Sequence, residues 1–282
     1  MPELPEVEHA RRRFLAILGQ DATIVDARSL DPIVVPQAAD EWRAAIIGHR
    51  IEGAERIGKN VLVRLSADHA LWFHLGMTGQ VLASERGARE LPRFTRWWLE
   101  TAKARVCLAD GRRLGRSIAG PRDDVRRLAK LDALGPDALS IADAASLRAR
   151  FERAKGPIKA ALLDQSRLAG IGNIQAIEAL WLAKIHPERP VPRLTPDQWR
   201  RLADAIRDTL VRTLETMRDD QDVVYVEAGG PNPFRVYDRE GEPCPRCGAT
   251  ITREVARARS TYLCPRCQRP DRTASQNARA RR

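Results

Sequence analysis

The sequence predicts an α+β protein built from three parts: a β-rich domain led by one helix, a helical domain, and a short β-hairpin bearing four cysteines. Three observations support this. Strand-like apolar runs fill residues 21–120, amphipathic helical patterns follow them, and two Cys-x-x-Cys pairs stand near the C-terminus. We therefore expect domains at 1–133, 134–228 and 229–268, and a basic tail without a fold at 269–282.

The leading helix is predicted from PEVEHARRRFLAILG. Val7, Ala10, Phe14 and Ile17 share one face there, and Gly19 marks the end. The runs NVLVRL, ALWFHL and RVCLAD then indicate strands separated by tight turns, and the Asp-Gly dipeptide that follows RVCLA predicts a two-residue hairpin. Together these runs predict a β-sandwich.

Helical patterns continue through SLRARFERA, PIKAALLDQ, NIQAIEALWLAKI and TPDQWRRLADAIRDTLVRTLETM. Thr195 is expected to cap the last helix, and Gln198 to complete a capping box. The joint LAGIGN has two glycines for a tight turn and places Asn173 at the N-cap of the next helix, where free N–H groups can bind phosphate. A Gly-rich joint by itself is more often only a turn. In a basic protein, however, it resembles a helix–two-turn–helix that grips a DNA backbone.

The charge of the chain indicates a polyanionic partner. Lys and Arg total 48 against 37 Asp and Glu, which gives a net charge of +11 and a pI near 10.1. Such a balance favours nucleic acid, with an anionic membrane surface as the second candidate. The chain opens with neither the basic stretch nor the apolar run of a signal peptide, and no apolar run reaches the length of a membrane span. We therefore expect a cytoplasmic protein, associated with the nucleoid through DNA.

Five cysteines divide into a group of four and a single residue. Cys244 and Cys247 are separated by sixteen residues from Cys264 and Cys267, a spacing at which four thiolates can surround one ion tetrahedrally. We expect one structural Zn²⁺ holding a zinc-finger β-hairpin, with iron as the minor alternative. Cys107 lies in a strand-like run, where a buried thiol is expected.

The first eight residues, MPELPEVE, have two interpretations. Pro5 and Glu6 suit the first turn of a helix, where proline is tolerated and a negative charge is favoured. This does not account for Pro2 and Glu3. If Met1 is removed, Pro2 presents a secondary amine beside the Glu3 carboxylate, and such a pair can act as nucleophile and proton donor.

Four motifs in this order carry a resemblance to a known family: MPELPEVE, HLGMTG, LLDQ…GIGNI and the terminal CxxC…CxxC. From residue 1 to about 267 the chain resembles the formamidopyrimidine-DNA glycosylase/endonuclease VIII family of base-excision repair, and it is closer to the formamidopyrimidine branch. The resemblance implies that Met1 is removed and that the Pro2 amine attacks C1′ of a damaged nucleotide while Glu3 protonates the sugar ring oxygen. The resulting Schiff base permits β- and then δ-elimination, so the implied activity combines a DNA glycosylase with an abasic-site lyase.

The resemblance also implies roles for further residues. One is a catalytic lysine, Lys59. Two lie at the lesion, Glu6 and Met77. Five contact DNA: His74, Lys155, Asn173, Tyr237 and Arg259. Several have plainer readings, since Lys59 can be a solvated turn lysine, His74 a satisfied strand histidine, and Tyr237 a packing residue of the finger. Helix capping explains Glu6 nearly as well. Met77 resembles the apolar side chain that fills the gap left by an extruded base.

Two departures from the family pattern stand out. The formamidopyrimidine branch carries an Asp-Pro-Arg-Arg-Phe-Gly-like loop, yet neither its Phe nor its paired Arg is recognisable in LGRSIAGPRDDVRRL, and Gln175 replaces an expected aromatic residue. These departures predict a divergent member with an altered lesion range or a weak preference for the opposite base, with single-stranded DNA as a second substrate. The partner is then damaged double-stranded DNA, bound by a monomer. The main alternative is a non-catalytic protein that binds damaged DNA, and a zinc-ribbon protein that binds RNA is a third reading.

Overall fold

The computed structural model describes residues 2–217, 232–256 and 259–270. The chain separates into two compact units. The first extends to Leu134 and also takes in Met217, and the second contains Gly135–Thr216 and the described residues from 232 onward. The start of the predicted connector and nearly all of the basic tail lie outside the described residues. No helix in the described ranges is long and apolar enough to cross a membrane.

The N-terminal unit contains three helices and two four-stranded antiparallel sheets. The helices are α1 (Leu4–Leu18), α2 (Ala39–Ala44) and α3 (Arg122–Leu128). The strands are β1 (Asp26–Ser29), β2 (Ile51–Ile57), β3 (Asn60–Leu65), β4 (His69–His74), β5 (Gly79–Ser84), β6 (Thr95–Glu100), β7 (Arg105–Asp110) and β8 (Arg116–Pro121). One sheet has the order β1-β6-β7-β5 and the other β2-β3-β4-β8.

Residues from both sheets and from α1 form one hydrophobic core. Phe73 of β4 is central to it, because its ring centroid lies 5.8 Å from that of Phe14 in α1 and 5.6 Å from that of Trp97 in β6. Strand β7 is buried along its whole length, and burial raises the pKa of the Cys107 thiol. The predicted β-sandwich, its leading helix and the buried Cys107 are confirmed.

Helix α1 follows the predicted face closely. Val7, Ala10 and Phe14 are buried, and Gly19 ends the helix at φ +85°, a left-handed conformation that favours glycine. Ile17 is only partly buried, and Leu18 completes the buried face instead.

The Asp-Gly dipeptide at the end of β7 does not form the predicted hairpin. Strand β8 pairs with β4 in the opposite sheet. The buried Asp110 carboxylate accepts hydrogen bonds from Thr78 Oγ1 at 2.5 Å and from the Gly115 N–H at 2.7 Å, and thereby directs the chain from one sheet to the other. The hairpin prediction was wrong because side-chain bonds to Asp110, rather than a cross-strand ladder, shape this turn.

The second unit is helical and ends in a β-hairpin. Its helices are α4 (Ala144–Phe151), α5 (Ile158–Leu162), α6 (Asn173–Leu182) and α7 (Pro196–Thr216), and its strands are β9 (Thr252–Ala256) and β10 (Arg259–Leu263). The predicted capping box of α7 is confirmed, because the Gln198 N–H donates to Thr195 Oγ1 at 3.3 Å and the Thr195 N–H donates to Gln198 Oε1 at 3.0 Å. Strands β9 and β10 pair antiparallel, as predicted for the hairpin between the cysteine pairs.

Candidate active site and metal centre

The start of α1 holds two buried carboxylates beside Pro2. Glu3 is 2% and Glu6 6% exposed, and Pro2 itself is buried. The Glu3 N–H donates to Glu6 Oε2 at 2.8 Å, which closes the first turn of the helix. Helix capping alone does not require burial, because a capping side chain functions at the surface. The N-terminal sequence therefore brings two acids into one desolvated position.

Burial changes the chemistry of Glu6. Desolvation, together with the negative charge of Glu3, raises the pKa of Glu6 to about 7. A carboxyl group with this pKa can both take and release a proton near neutral pH. Glu6 thus combines its helix-capping hydrogen bond with the properties of an acid–base group.

Lys59, His74 and Arg116 gather at one end of the sheet that contains β3, β4 and β8. The pairing register sets His74 opposite Asn60 on one side and opposite Arg116 on the other, and Lys59 directly precedes Asn60. Burial, followed by the positive charges of Lys59 and Arg116, lowers the pKa of His74 to about 4. The structure thus brings Lys59 and His74 together and adds Arg116 to them.

His74 has a defined tautomer in this setting. The Gly76 N–H donates to its Nδ1 at 3.0 Å, so Nδ1 is the acceptor and the ring proton of the neutral imidazole is on Nε2. A neutral imidazole with an Nε2–H group can donate a hydrogen bond to a phosphate oxygen. Such a bond carries no cost of burying another positive charge beside Lys59.

A pair of charged residues connects α1 to the turn that carries Lys59. Glu8 lies 3.6 Å from Nε of Arg56, and Arg56 Nη1 donates to the Gly58 carbonyl at 3.1 Å. This link was not predicted, because the sequence does not show that Glu8 and Arg56 meet. It fixes the turn that precedes β3 against the second turn of α1.

The turn carrying Met77 is fixed on both sides. Gly76 has φ +63°, and a Cβ atom there would lie 2.4 Å from the Leu114 carbonyl carbon, so the position requires glycine. Thr78 is held by its hydrogen bond to Asp110. Met77, which is half-buried, is therefore presented by a turn packed on the segment that joins β7 to β8.

The connector between β7 and β8 contains the stretch that resembles the family loop. LGRSIAGPRDDVRRL, in which no loop motif was recognisable, forms β8 and α3 over much of its length. The connector reads DGRRLG over Asp110–Gly115 and overlaps the first two residues of that stretch; it matches Asp-Pro-Arg-Arg-Phe-Gly at four of six positions, with Gly111 for Pro and Leu114 for Phe. DGRRLG is thus the stretch that resembles the family loop, which removes one of the two departures behind the predicted weak opposite-base preference. The other departure, Gln175, is unchanged, so that preference stays a prediction.

Asn173 occupies a different position from the one predicted. Gly172 is the N-cap of α6, and Asn173 is the first helical residue. The Asn173 Nδ2 group donates to the Ser260 carbonyl in β10 at 3.1 Å, so this side chain connects the helix joint to the cysteine hairpin. The predicted N-cap role is wrong, because Asn173 is already the first residue of the helix, one position past the N-cap.

A neighbouring lysine was missed. Lys155 is exposed, whereas Lys159 is 3% exposed, and its Nζ donates to Thr261 Oγ1 at 2.6 Å and to the Ser260 carbonyl at 3.2 Å. The sequence AKGPIK contains both lysines, and only packing shows which one is buried. Lys159 and Asn173 thus hold the same carbonyl of β10.

Tyr237 is held by a carboxylate and by two rings. Glu178 is 2% exposed and accepts the backbone N–H groups of Arg235, Val236 and Tyr237 at 3.0, 2.9 and 2.9 Å. The Tyr237 ring centroid lies 5.8 Å from that of Phe234 and 5.3 Å from that of Tyr262 in β10. Glu178 was not predicted, because its partners are backbone groups more than fifty residues away.

The four cysteines form one cluster. The sulfur atoms of Cys244, Cys247, Cys264 and Cys267 all lie within 4.8 Å of one another. Tetrahedral Zn–S bonds of about 2.3 Å require sulfur atoms about 3.8 Å apart, so the donor set fits zinc. Trp181 Nε1–H donates to Cys244 Sγ at 3.4 Å, as outer-shell donors to metal-bound thiolates do.

The hairpin between the cysteine pairs carries basic side chains. Arg259 is exposed at the start of β10, and Arg253 of β9 donates to Ser260 Oγ at 3.1 and 2.9 Å. The predicted site residues divide between the two units. The N-terminal unit contains Pro2, Glu3, Glu6, Lys59, His74 and Met77, and the second contains Lys155, Asn173, Tyr237, Arg259 and the four clustered cysteines.

Comparison with known proteins gives three family matches in chain order. The Formamidopyrimidine-DNA glycosylase N-terminal domain matches residues 1–117, the Formamidopyrimidine-DNA glycosylase H2TH domain matches residues 134–223, and the zinc finger found in FPG and IleRS matches residues 241–270. These matches define a three-part protein of DNA base repair.

Individual relatives agree with these matches. A Formamidopyrimidine-DNA glycosylase from Chloroflexus aurantiacus is 42% identical over 277 residues, which cover 95% of this chain and 98% of that protein. The crystal structure of MutM (Fpg) from Thermus thermophilus is 35% identical, covers 95% of this chain and 98% of its own, and superimposes with a TM-score of 0.80. Lactococcus lactis Fpg bound to DNA containing an AP site is 29% identical and has a TM-score of 0.81, with 95% of this chain and 100% of that chain covered. The chain belongs to the formamidopyrimidine-DNA glycosylase family.

Proposed function

We propose that this chain excises a damaged base from DNA and then cleaves the strand at the resulting abasic site. The observation that carries the proposal is the pair of buried carboxylates, Glu3 and Glu6, at the position where removal of Met1 would expose the Pro2 amine. A protein that only binds DNA has no use for two desolvated acids at its terminus, because their burial is costly.

The reaction proceeds through an iminium. The Pro2 nitrogen forms a bond to C1′ as the C1′–base bond breaks, and the base leaves with that electron pair and with the proton that the amine releases. Glu3 then donates a proton to the ring oxygen as the C1′–O4′ bond breaks, which leaves an iminium between Pro2 and C1′. The iminium then withdraws electrons, so loss of the C2′ proton expels the 3′ phosphate, and δ-elimination expels the 5′ phosphate. Glu6, with a pKa raised to about 7, is placed to exchange protons with the lesion.

Phosphate binding is assigned to groups in both units. In the N-terminal unit Lys59, Arg116 and the Nε2–H of His74 offer donors at one end of a sheet. In the second unit Arg259 and the N-terminus of α6 at Asn173 offer donors beside the hairpin, and Tyr237 packs nearby. The partner is duplex DNA carrying damage, bound by a monomer in the reducing cytoplasm, and affinity falls steeply with salt.

One structural Zn²⁺ held by the four cysteines stabilises the β9–β10 hairpin, which is too small to be stable without it. Its role is to keep Arg259 and the clamped Ser260 carbonyl in place. Because four protein sulfur atoms complete the coordination shell, the ion takes no part in the chemistry.

Borohydride trapping on an oligonucleotide with an abasic site tests the proposal. The protein is prepared with a Pro2 terminus confirmed by mass spectrometry. We expect a covalent adduct that maps to Pro2 and is lost in a Pro2→Gly variant with one extra residue ahead of it. A Glu188→Gln variant serves as control, since Glu188 is exposed in the second unit. Tight, salt-sensitive binding without any adduct would instead support a non-catalytic damaged-DNA-binding protein.

A further inference from the structure

Phe94 is exposed in a backbone conformation that bulky residues rarely adopt. Its side chain is 47% exposed, and its φ is +65°. Glycine is favoured at such a position, and a bulky residue is strained there. The Thr95 N–H and Oγ1–H both donate to the Pro92 carbonyl, at 3.2 and 2.6 Å, and maintain the turn. The turn therefore presents an aromatic ring to solvent, although core packing does not demand one.

Two guanidinium groups accompany this ring. The Arg93 Cζ atom lies 4.5 Å and the Arg96 Cζ atom 6.0 Å from the ring centroid. Arg96 is fixed by two hydrogen bonds: its Nη1 donates to Asp31 Oδ2 at 3.2 Å, and its Nε donates to the Asp110 carbonyl at 2.7 Å. Arg93 is exposed and forms no ion pair with any residue that the structure describes, so its charge is available to an outside partner.

The ring rests on the β7–β8 connector. The Asp110 N–H donates to the Phe94 carbonyl at 3.0 Å, and a Cβ atom on Gly111 would lie 3.6 Å from the ring. At the other end of the connector Leu114 is 43% exposed, and its backbone packs against Gly76. Phe94 and Leu114 therefore belong to the same loop cluster of the N-terminal unit as the turn that carries Met77.

We propose that Phe94 and Arg93 form a stacking platform for an unstacked nucleobase of the bound DNA. Aromatic rings and guanidinium planes stack on any base, since every base has a π-face, and the positive charge attracts the polyanion. The inference rests on the proposed function, because only a protein that extrudes a nucleotide leaves a neighbouring base without its normal stacking or pairing. It adds a specific contact to the loop cluster around Met77.

The test measures binding to a duplex that contains a stable abasic-site analogue. The fluorescent base 2-aminopurine is placed opposite the analogue in one duplex and one step to either side in others. We expect Phe94→Ala to weaken binding at least about fivefold and to abolish quenching at one of these positions. Phe94→Trp should bind like the wild-type protein. Leu128→Ala, which removes another exposed apolar side chain of the same unit, should change neither quantity.

A second measurement separates stacking from charge. Arg93→Ala should make the slope of log affinity against log salt concentration less steep by about the amount that one phosphate contact contributes, or less. Phe94→Ala should leave this slope unchanged. Should Phe94→Ala be poorly folded, Phe94→Gly removes the ring and relieves the strain at φ +65°, and it should show the same loss of quenching.

Quenching and affinity in the Phe94→Ala and Phe94→Gly variants equal to those of Leu128→Ala would overturn the proposal. This outcome differs from a failure of the proposed function. The abasic-site analogue undergoes no chemistry, so the binding test does not depend on catalysis, whereas the proposed function fails only if the wild-type protein forms no Pro2 adduct in the trapping experiment.

Discussion

Replacing Glu178 by Gln is expected to loosen the segment that carries Tyr237. The buried carboxylate accepts three backbone N–H groups, two at Oε1 and one at Oε2. Gln retains one acceptor oxygen and puts an NH₂ group where Oε2 was, so the Arg235 N–H faces another donor. Hydrogen bonds to charged groups contribute about 1.5–3 kcal/mol each. We therefore expect a local cost of about 2 kcal/mol.

Hydrogen exchange measured by mass spectrometry reports this cost directly. A loss of about 2 kcal/mol in local opening corresponds to roughly 30-fold faster exchange in a peptide covering residues 232–240. Because we propose that Tyr237 contacts DNA, affinity for an abasic-site duplex should fall as well. Glu188→Gln removes an exposed charge from the same unit and should leave both values unchanged. Exchange in the Glu178→Gln peptide at the wild-type rate would refute the assignment of Glu178 as the anchor of this segment.

The pKa of Glu6 rises from 4.5 in a free side chain to about 7 on folding, so its contribution to stability is complete below pH 4.5 and is lost as pH rises through 7. In denaturant unfolding between pH 5 and 8, Glu6→Gln should remove up to about 3 kcal/mol of the pH dependence of the unfolding free energy. A pH dependence equal to that of the wild-type protein would contradict the burial of Glu6. Because the pKa of His74 is lowered to about 4, the affinity for DNA should show no change linked to His74 between pH 6 and 8. The His74→Gln variant keeps a hydrogen-bond donor and should bind DNA better than His74→Ala. A change in affinity near pH 6.5 that is lost in His74→Gln would refute the neutral tautomer. Chelation of the metal, or Cys267→Ser, should speed hydrogen exchange in β9–β10 and weaken DNA binding. Exchange in the N-terminal sandwich should stay slow. Slow exchange in β9–β10 after metal removal would argue against zinc as the support of this hairpin.

Local signals predicted much of the molecule correctly. The face of α1, the capping box of α7 and the four-cysteine cluster all depend on residues close together in sequence or on a fixed spacing, and the structure has each of them. The Asp-Gly turn was misjudged, since the propensity of a dipeptide says nothing about which sheet receives the next strand. At Asp110 the bonds from Thr78 and Gly115 settle that choice.

The sequence by itself determined the order of the parts, the family, the four cysteines of the cluster and the candidates Pro2 and Glu3, because motif and spacing are properties of the chain. Tertiary structure alone decided which lysine of AKGPIK is buried, which carboxylate anchors Tyr237, and how the β7–β8 connector meets Phe94 and the turn of Met77. These facts depend on contacts between segments far apart in sequence. Burial then sets the pKa of Glu6 and of His74, since desolvation is a property of the packed molecule rather than of the residue.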